Sequence, residues 1–135
     1  MTFVLDASVT MAWFLNEPGP PLGNLIDRLV DDGALVPAFW ALEVANVFQS
    51  AIRRKRISPD DRDTAFGELR LLPIAVDDTE RDLIWTNVVE LSGRHGLSAY
   101  DATYLELAVR RGVPLATLDK DLAKAARAEG VTVLP

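Results

Sequence analysis

Cysteine is absent from the 135-residue chain, and histidine occurs once. The first absence excludes disulfides and thiolate metal sites and fits a reducing compartment, so a cytoplasmic location is expected. The second excludes catalysis by a pair of histidines acting as acid and base. No apolar run approaches the ~20 residues needed to cross a bilayer. The N-terminus has no basic segment, and Asp6 interrupts its apolar stretch, so neither a membrane span nor a secretory signal is expected. Positive charge is in deficit. Lys and Arg number 14 against 20 Asp and Glu, a net charge of −6, which argues against a generally basic binding surface.

What is present describes one α/β domain over residues 1–135. Nearly half the residues (49%) are hydrophobic, enough for a real core at this length. Phe3-Val-Leu5 reads as a strand buried on both faces. Val9–Asn16 reads as a short helix, and Glu17–Pro21 as a loop because of its prolines and glycine. Leu22 to Asp32 is an amphipathic helix, Ala34–Val36 a strand, and Phe39–Arg56 the longest helical pattern. Ser58-Pro59 opens a helix through about Leu71, and Leu72–Val76 is a strand near an edge, given Pro73. The spacing then predicts a helix from Asp77/Asp78 to Gly93 and a loop at Arg94–Leu97. A helix opened by Ser98 and closed by Gly112 follows. After it come a strand at Val113–Leu118, a helix at Asp119–Glu129 and a strand at Val131–Leu134. Strands separated by helical segments indicate a parallel sheet of about five strands with helices on both faces.

Four acids stand out against this framework, each with an ordinary structural alternative. Asp6 ends the first strand or caps the next helix. Glu43 lies one turn into a helix entered from a strand, or is an exposed helix residue. Asp101 begins a helix, or completes a capping box with Ser98. Asp119 follows a strand, or is an N-cap. Jointly the four fall at the carboxyl ends of parallel strands, the edge where open α/β sheets bind ligands. Carboxylates gathered there repel one another, and a hard divalent cation such as Mg²⁺ or Mn²⁺, with oxygen ligands only, is the natural compensation. Acid clusters of this kind hold metals that promote phosphodiester cleavage.

Four blocks carry a resemblance: Val4-Leu-Asp6-Ala-Ser8, Glu43-Val-Ala-Asn46, Leu97-Ser-Ala-Tyr-Asp101-Ala-Thr-Tyr-Leu-Glu-Leu-Ala108, and Leu115-Ala-Thr-Leu-Asp119-Lys-Asp-Leu122. Together they resemble the PIN-domain ribonucleases, and within them the VapC toxins of VapBC toxin–antitoxin pairs, over essentially the whole chain. The resemblance implies a PIN fold, a Mg²⁺- or Mn²⁺-dependent endoribonuclease, a homodimer and a VapB-type antitoxin partner. It casts Asp6, Glu43 and Asp101 as the core catalytic and metal-binding acids, with Asp119 as the fourth. Ser8, Thr117 and Asn46 match supporting positions. Asp121 is either a further oxygen donor or a solvated helix residue.

Removing the four acids from the total of −6 leaves −2. Arg53, Arg54, Lys55 and Arg56 form the one dense basic run, read equally as a phosphate contact or as a helix end matched to its dipole. His95 is read as a loop residue. Trp13, Trp40 and Trp85 are read as core or interface residues rather than base-stacking platforms. Two other functions compete with the nuclease. A metal-dependent phosphatase or phosphotransfer domain lacks its Asp-x-Asp pair here, since Asp6-Ala-Ser8 carries no second aspartate. A catalytically silent binding module would have no need of all four acids.

Overall fold

Phe3, Val4 and Leu5 have no solvent exposure at all, and the strand they form, β1 (Phe3–Leu5), is the middle of the sheet. Burying side chains of this size stabilises the fold by about 1.5–3 kcal/mol each. The structure, a computed structural model, describes residues 1–15 and 22–135. The expected helix end at Asn16 and the Glu17–Pro21 loop lie outside the described residues.

After β1 come α1 (Ala7–Leu15), α2 (Leu25–Asp32), β2 (Ala34–Pro37), α3 (Trp40–Arg53), α4 (Pro59–Arg70) and β3 (Ile74–Asp77). The chain continues as α5 (Arg81–Leu83), a π-helical turn (Ile84–Val88), α6 (Val89–His95), α7 (Ala99–Arg111), β4 (Leu115–Ala116), α8 (Lys120–Ala128) and β5 (Val133–Leu134). All strand pairs are parallel, in the order β3-β2-β1-β4-β5. The five-stranded parallel α/β sheet is therefore as the sequence indicated.

Alternation along the strands builds two cores, because successive side chains point to opposite faces. Val4, Leu35 and Leu115 pack with Leu91, Tyr104, Leu105, Leu107 and Leu122, which lie on α6, α7 and α8. Phe3, Leu5, Ala34, Val36 and Ala116 pack instead with Val9, Leu25 and Leu29, on α1 and α2. A third cluster joins α1, α3 and α4 through Met11, Val44, Phe48 and Leu69. Trp40, the first residue of α3, packs against all three.

Strand order positions the site. From β1 the chain moves outward to β2 and β3, then returns across the sheet to add β4 on the other side of β1. The crevice at the carboxyl ends of β1 and β4 is thus the switch point where open α/β sheets bind ligands.

Several boundaries differ from expectation, most of them by one to three residues. The larger correction concerns the helix expected from Asp77 to Gly93. Asp77 instead ends β3, paired with Pro37, and the helix begins at Arg81. Gly93 does not stop it, because buried Leu91 and Leu97 hold the chain on either side. The stop is Gly96, whose φ of 64° is the left-handed conformation that closes a helix cheaply only with glycine. His95 is therefore helical rather than in a loop, and its Nε2 lies 2.7 Å from Glu129 Oε2.

Candidate active site

In a parallel sheet the connecting helices run back against the strands, so their N-termini gather at the strands' carboxyl ends. Asp6 directly follows β1, Glu43 is in the first turn of α3, Asp101 in the first turn of α7, and Asp119 is the N-cap of α8. Four distant stretches of sequence thus deliver carboxylates to one place. Each helix dipole favours its own acid by about 0.3–1 kcal/mol. Burial and the neighbouring acids both act against the charged forms, and burial is the larger cause at Asp6, Glu43 and Asp101.

Asp6 is the most enclosed of the four, with 6% of its surface exposed. Its Oδ2 accepts hydrogen bonds from the hydroxyls of Ser8 (2.7 Å) and Thr117 (2.8 Å). Both hydroxyls are themselves fixed: Ser8 Oγ accepts the Leu118 N–H and Thr117 Oγ1 accepts the Asp119 N–H, each at 3.0 Å. Among the described residues the carboxylate accepts no backbone N–H of α1, and the backbone carbonyl of Asp6 accepts the Val9 N–H.

Glu43 is half-buried, and its Oε1 accepts the hydroxyl of Tyr104 at 2.5 Å. Tyr104 has no exposed surface. Sequence reading placed it on α7 but gave it no role. The available signal was its spacing three residues after Asp101, which puts both on one face of the helix.

Ser98 caps α7 by accepting the Asp101 N–H at 3.1 Å, and among the described residues the return bond from the Ser98 N–H to the Asp101 carboxylate is not made. The Ser98 hydroxyl pulls the Asp101 carboxyl down, against the larger causes that raise it. Asp119 does cap α8, its Oδ1 accepting the Leu122 N–H at 3.0 Å.

The electrostatics tie the set together. Burial raises the Asp6 carboxyl above its ordinary range, and Glu43 and Asp119 raise it further against the pull of its two hydroxyl donors. Burial likewise raises Glu43, with Asp101 adding to it and Tyr104 opposing. Asp101 is raised by burial and then by Asp6, Asp119 and the exposed Asp121. Among the described residues, no lysine or arginine forms an ion pair with any of the four. Asp77 shows what a partnered strand-end acid looks like: Arg110 lies 2.7 Å away and holds its carboxyl below the ordinary range.

Donor chemistry here fits a hard cation, being oxygen-only and short of positive charge. Among the described residues no group of three or more acidic or histidine side chains is placed to hold a metal ion. Magnesium does not require such a group, since it keeps several waters and binds through one or two carboxylates. Asp6 Oδ1 and Glu43 Oε2 make no hydrogen bond among the described residues, which leaves one oxygen on each for a ligand.

Other sequence candidates fall outside this cluster. Asn46 is exposed and makes no hydrogen bond to the acids among the described residues. Arg53, Arg54, Lys55 and Arg56 are exposed at the far end of α3, and Arg53 lies about 15 Å along the helix axis from Glu43. Trp85 is 69% exposed and its ring lies against Arg81, so it is not a core residue of this chain. An apolar cleft of about 340 Å³ between α3, α4 and β3, lined by Trp40, Val44, Phe66 and Ile74, contains none of the acids.

Residues 3–128 match the family model described as the PIN domain. Among solved structures, PAE2754 from Pyrobaculum aerophilum superposes with a TM-score of 0.74 at 19% identity, covering 99% of this chain and 90% of that one. FitAcB from Neisseria gonorrhoeae gives a TM-score of 0.65 at 16% identity, covering 100% of this chain and 97% of that one. At these identities the likeness is one of fold. No curated protein matches the chain.

Proposed function

The chain belongs to the PIN-domain family, whose members are commonly nucleases and often toxins of toxin–antitoxin pairs, and from that premise we propose that it is a metal-dependent endoribonuclease of the VapC type. The observation that carries this reading is the convergence of Asp6, Glu43, Asp101 and Asp119 at the switch point of the sheet, without a cationic partner among the described residues. A bound Mg²⁺ or Mn²⁺ would supply charge compensation at the scissile phosphate and an acidified water. Asp6, Glu43 and Asp101 would hold it, with Asp119 as the fourth donor. Ser8 and Thr117 keep Asp6 Oδ2 fixed, which preorganises that carboxylate before substrate arrives. No side chain need act as a covalent nucleophile.

The substrate proposed is RNA, with the Arg53–Arg56 run as a phosphate contact some way along the strand from the cleavage point. The partner proposed is a VapB-type antitoxin that inserts a basic residue among the acids, where their field attracts it. A homodimer and a cytoplasmic location complete the reading. Among the described residues, no helix is long and apolar enough to cross a membrane.

The test is direct. Purified chain, free of antitoxin, should cleave RNA with Mg²⁺ or Mn²⁺ and stop in EDTA, and Asp6→Asn or Asp101→Asn should abolish cleavage while far-UV circular dichroism stays unchanged. Full activity in either variant sinks the site assignment. Expression alone should arrest growth, with relief by the small protein encoded beside it; harmless expression of an active nuclease removes the toxin role and leaves the enzyme.

A further inference from the structure

We propose that Tyr104 is a positioning residue for Glu43, holding one oxygen of that carboxylate so that the other is presented to the metal. The proposal rests on the metal-dependent reading above and extends it to a residue outside the acid set.

The geometry is specific. The Tyr104 hydroxyl has a single proton to donate. That proton goes to Glu43 Oε1, at 2.5 Å. Glu43 is on α3, and Tyr104 stands one turn after Asp101 on α7. One buried side chain thus ties the helix that carries Glu43 to the helix that carries Asp101. Its ring is braced as well: Phe39, one turn before Glu43, meets it edge-on at 5.6 Å and 89°, and meets Tyr100 edge-on at 5.2 Å. Phe39 supplies no side-chain cap to α3, so its role at that helix start is packing. A buried phenol needs only some acceptor, and a backbone carbonyl would serve. Spending the bond on a half-buried carboxylate fixes the rotation of that group. Support of this kind, a partner orienting a ligand from behind, typically changes metal affinity about 10–100-fold.

Tyr104→Phe deletes the hydroxyl and keeps the ring against Phe39. With the full chain and Mn²⁺ alone, free ion counted by electron paramagnetic resonance, the variant should bind about 10–100-fold more weakly than wild type. In a Glu43→Ala background the same deletion should have no further effect, because the partner it acts through is gone. In RNA cleavage kcat should fall with KM unchanged. Wild-type chain carrying 3-fluorotyrosine gives a readout that needs no Tyr104 variant. Its two tyrosines give two fluorine resonances, assigned by Tyr100→Phe. The Tyr104 signal should shift on Mg²⁺ titration in wild type and stay still in Glu43→Ala. Unchanged Mn²⁺ affinity in folded Tyr104→Phe, or a Tyr104 resonance blind to Mg²⁺ in a protein that binds it, overturns this proposal alone. Wild type that binds no Mn²⁺ overturns it together with the metal reading.

Discussion

Thr117 and Asp6 stand 111 positions apart in the sequence, yet the threonine hydroxyl donates to Asp6 Oδ2 over 2.8 Å, inside the protein. The contact exists because β4 returns to pair with β1, with Val4 opposite Leu115 and Leu5 opposite Ala116. Thr117 Oγ1 also accepts the Asp119 N–H, so one hydroxyl sets the positions of two of the four acids.

Thr117→Val tests that hydroxyl at nearly constant volume. Hydrogen bonds to charged groups contribute about 1.5–3 kcal/mol, and the loss here leaves a buried carboxylate with one donor fewer. Urea titration in EDTA at neutral pH should show a destabilisation of about 2 kcal/mol, and Thr117→Ser should recover most of it. A cost near zero would mean that Asp6 does not depend on the bond.

Acidity gives a second test, with a sign opposite to that of most carboxylates. Asp6, Glu43 and Asp101 are raised from ordinary values of 3.8, 4.5 and 3.8, in each case chiefly by burial. Between those unfolded values and the raised folded ones, the native state binds more protons than the unfolded state. Stability from these groups is therefore complete at low pH and declines as pH climbs through that window. Asp61, Asp77 and Glu129 are lowered and act the other way, below their ordinary values. Comparing Asp101→Asn with wild type in EDTA cancels these. The two melting temperatures should nearly coincide below about pH 4, with the variant gaining on wild type as pH rises. A constant gap across the range would refute a raised Asp101 carboxyl in the folded chain.

The parallel sheet was legible because it depends on local signals, and so were the strand ends and helix starts on which Asp6, Glu43, Asp101 and Asp119 stand. Apolar runs ending in Asp6 or before Asp119, and first turns carrying Glu43 and Asp101, declare themselves residue by residue. What depends on contacts between elements was not legible. The Tyr104–Glu43 bond spans 61 positions, and an aromatic on a helix face reads first as core. The His95–Glu129 pair spans 34 positions and was equally hidden. Gly93 misled because a glycine interrupts a helical pattern on paper, whereas burial on either side carries the helix through to Gly96.

Salt dependence addresses the basic run at the end of α3. Each phosphate neutralised on a single strand contributes about 0.7 to the slope of log affinity against log salt. Replacing Arg53 and Arg54 with glutamine, in the catalytically inert Asp6→Asn chain, should lower that slope by about 1.4 if both contact phosphate. RNA binding measured by fluorescence anisotropy at several salt concentrations decides it. An unchanged slope assigns the run to the dipole of α3.

Metal-dependent melting separates the acid cluster from a set of helix caps. Ligand that binds only the folded chain stabilises it by about 2.7 kcal/mol at a hundred times its Kd, roughly 10 °C for a domain of this size. Wild type should show a rise of that order with saturating Mn²⁺ over EDTA, and Asp101→Asn should lose most of it. Without metal, Asp101→Asn should be at least as stable as wild type, because it removes a charge that Asp6 and Asp119 both oppose. A capping role predicts a loss of up to ~1 kcal/mol instead. The structure weighs against that loss, since Ser98 takes the Asp101 N–H whatever side chain follows it. No metal shift in wild type, joined to a destabilised variant, would leave Asp101 as part of a helix start and nothing more.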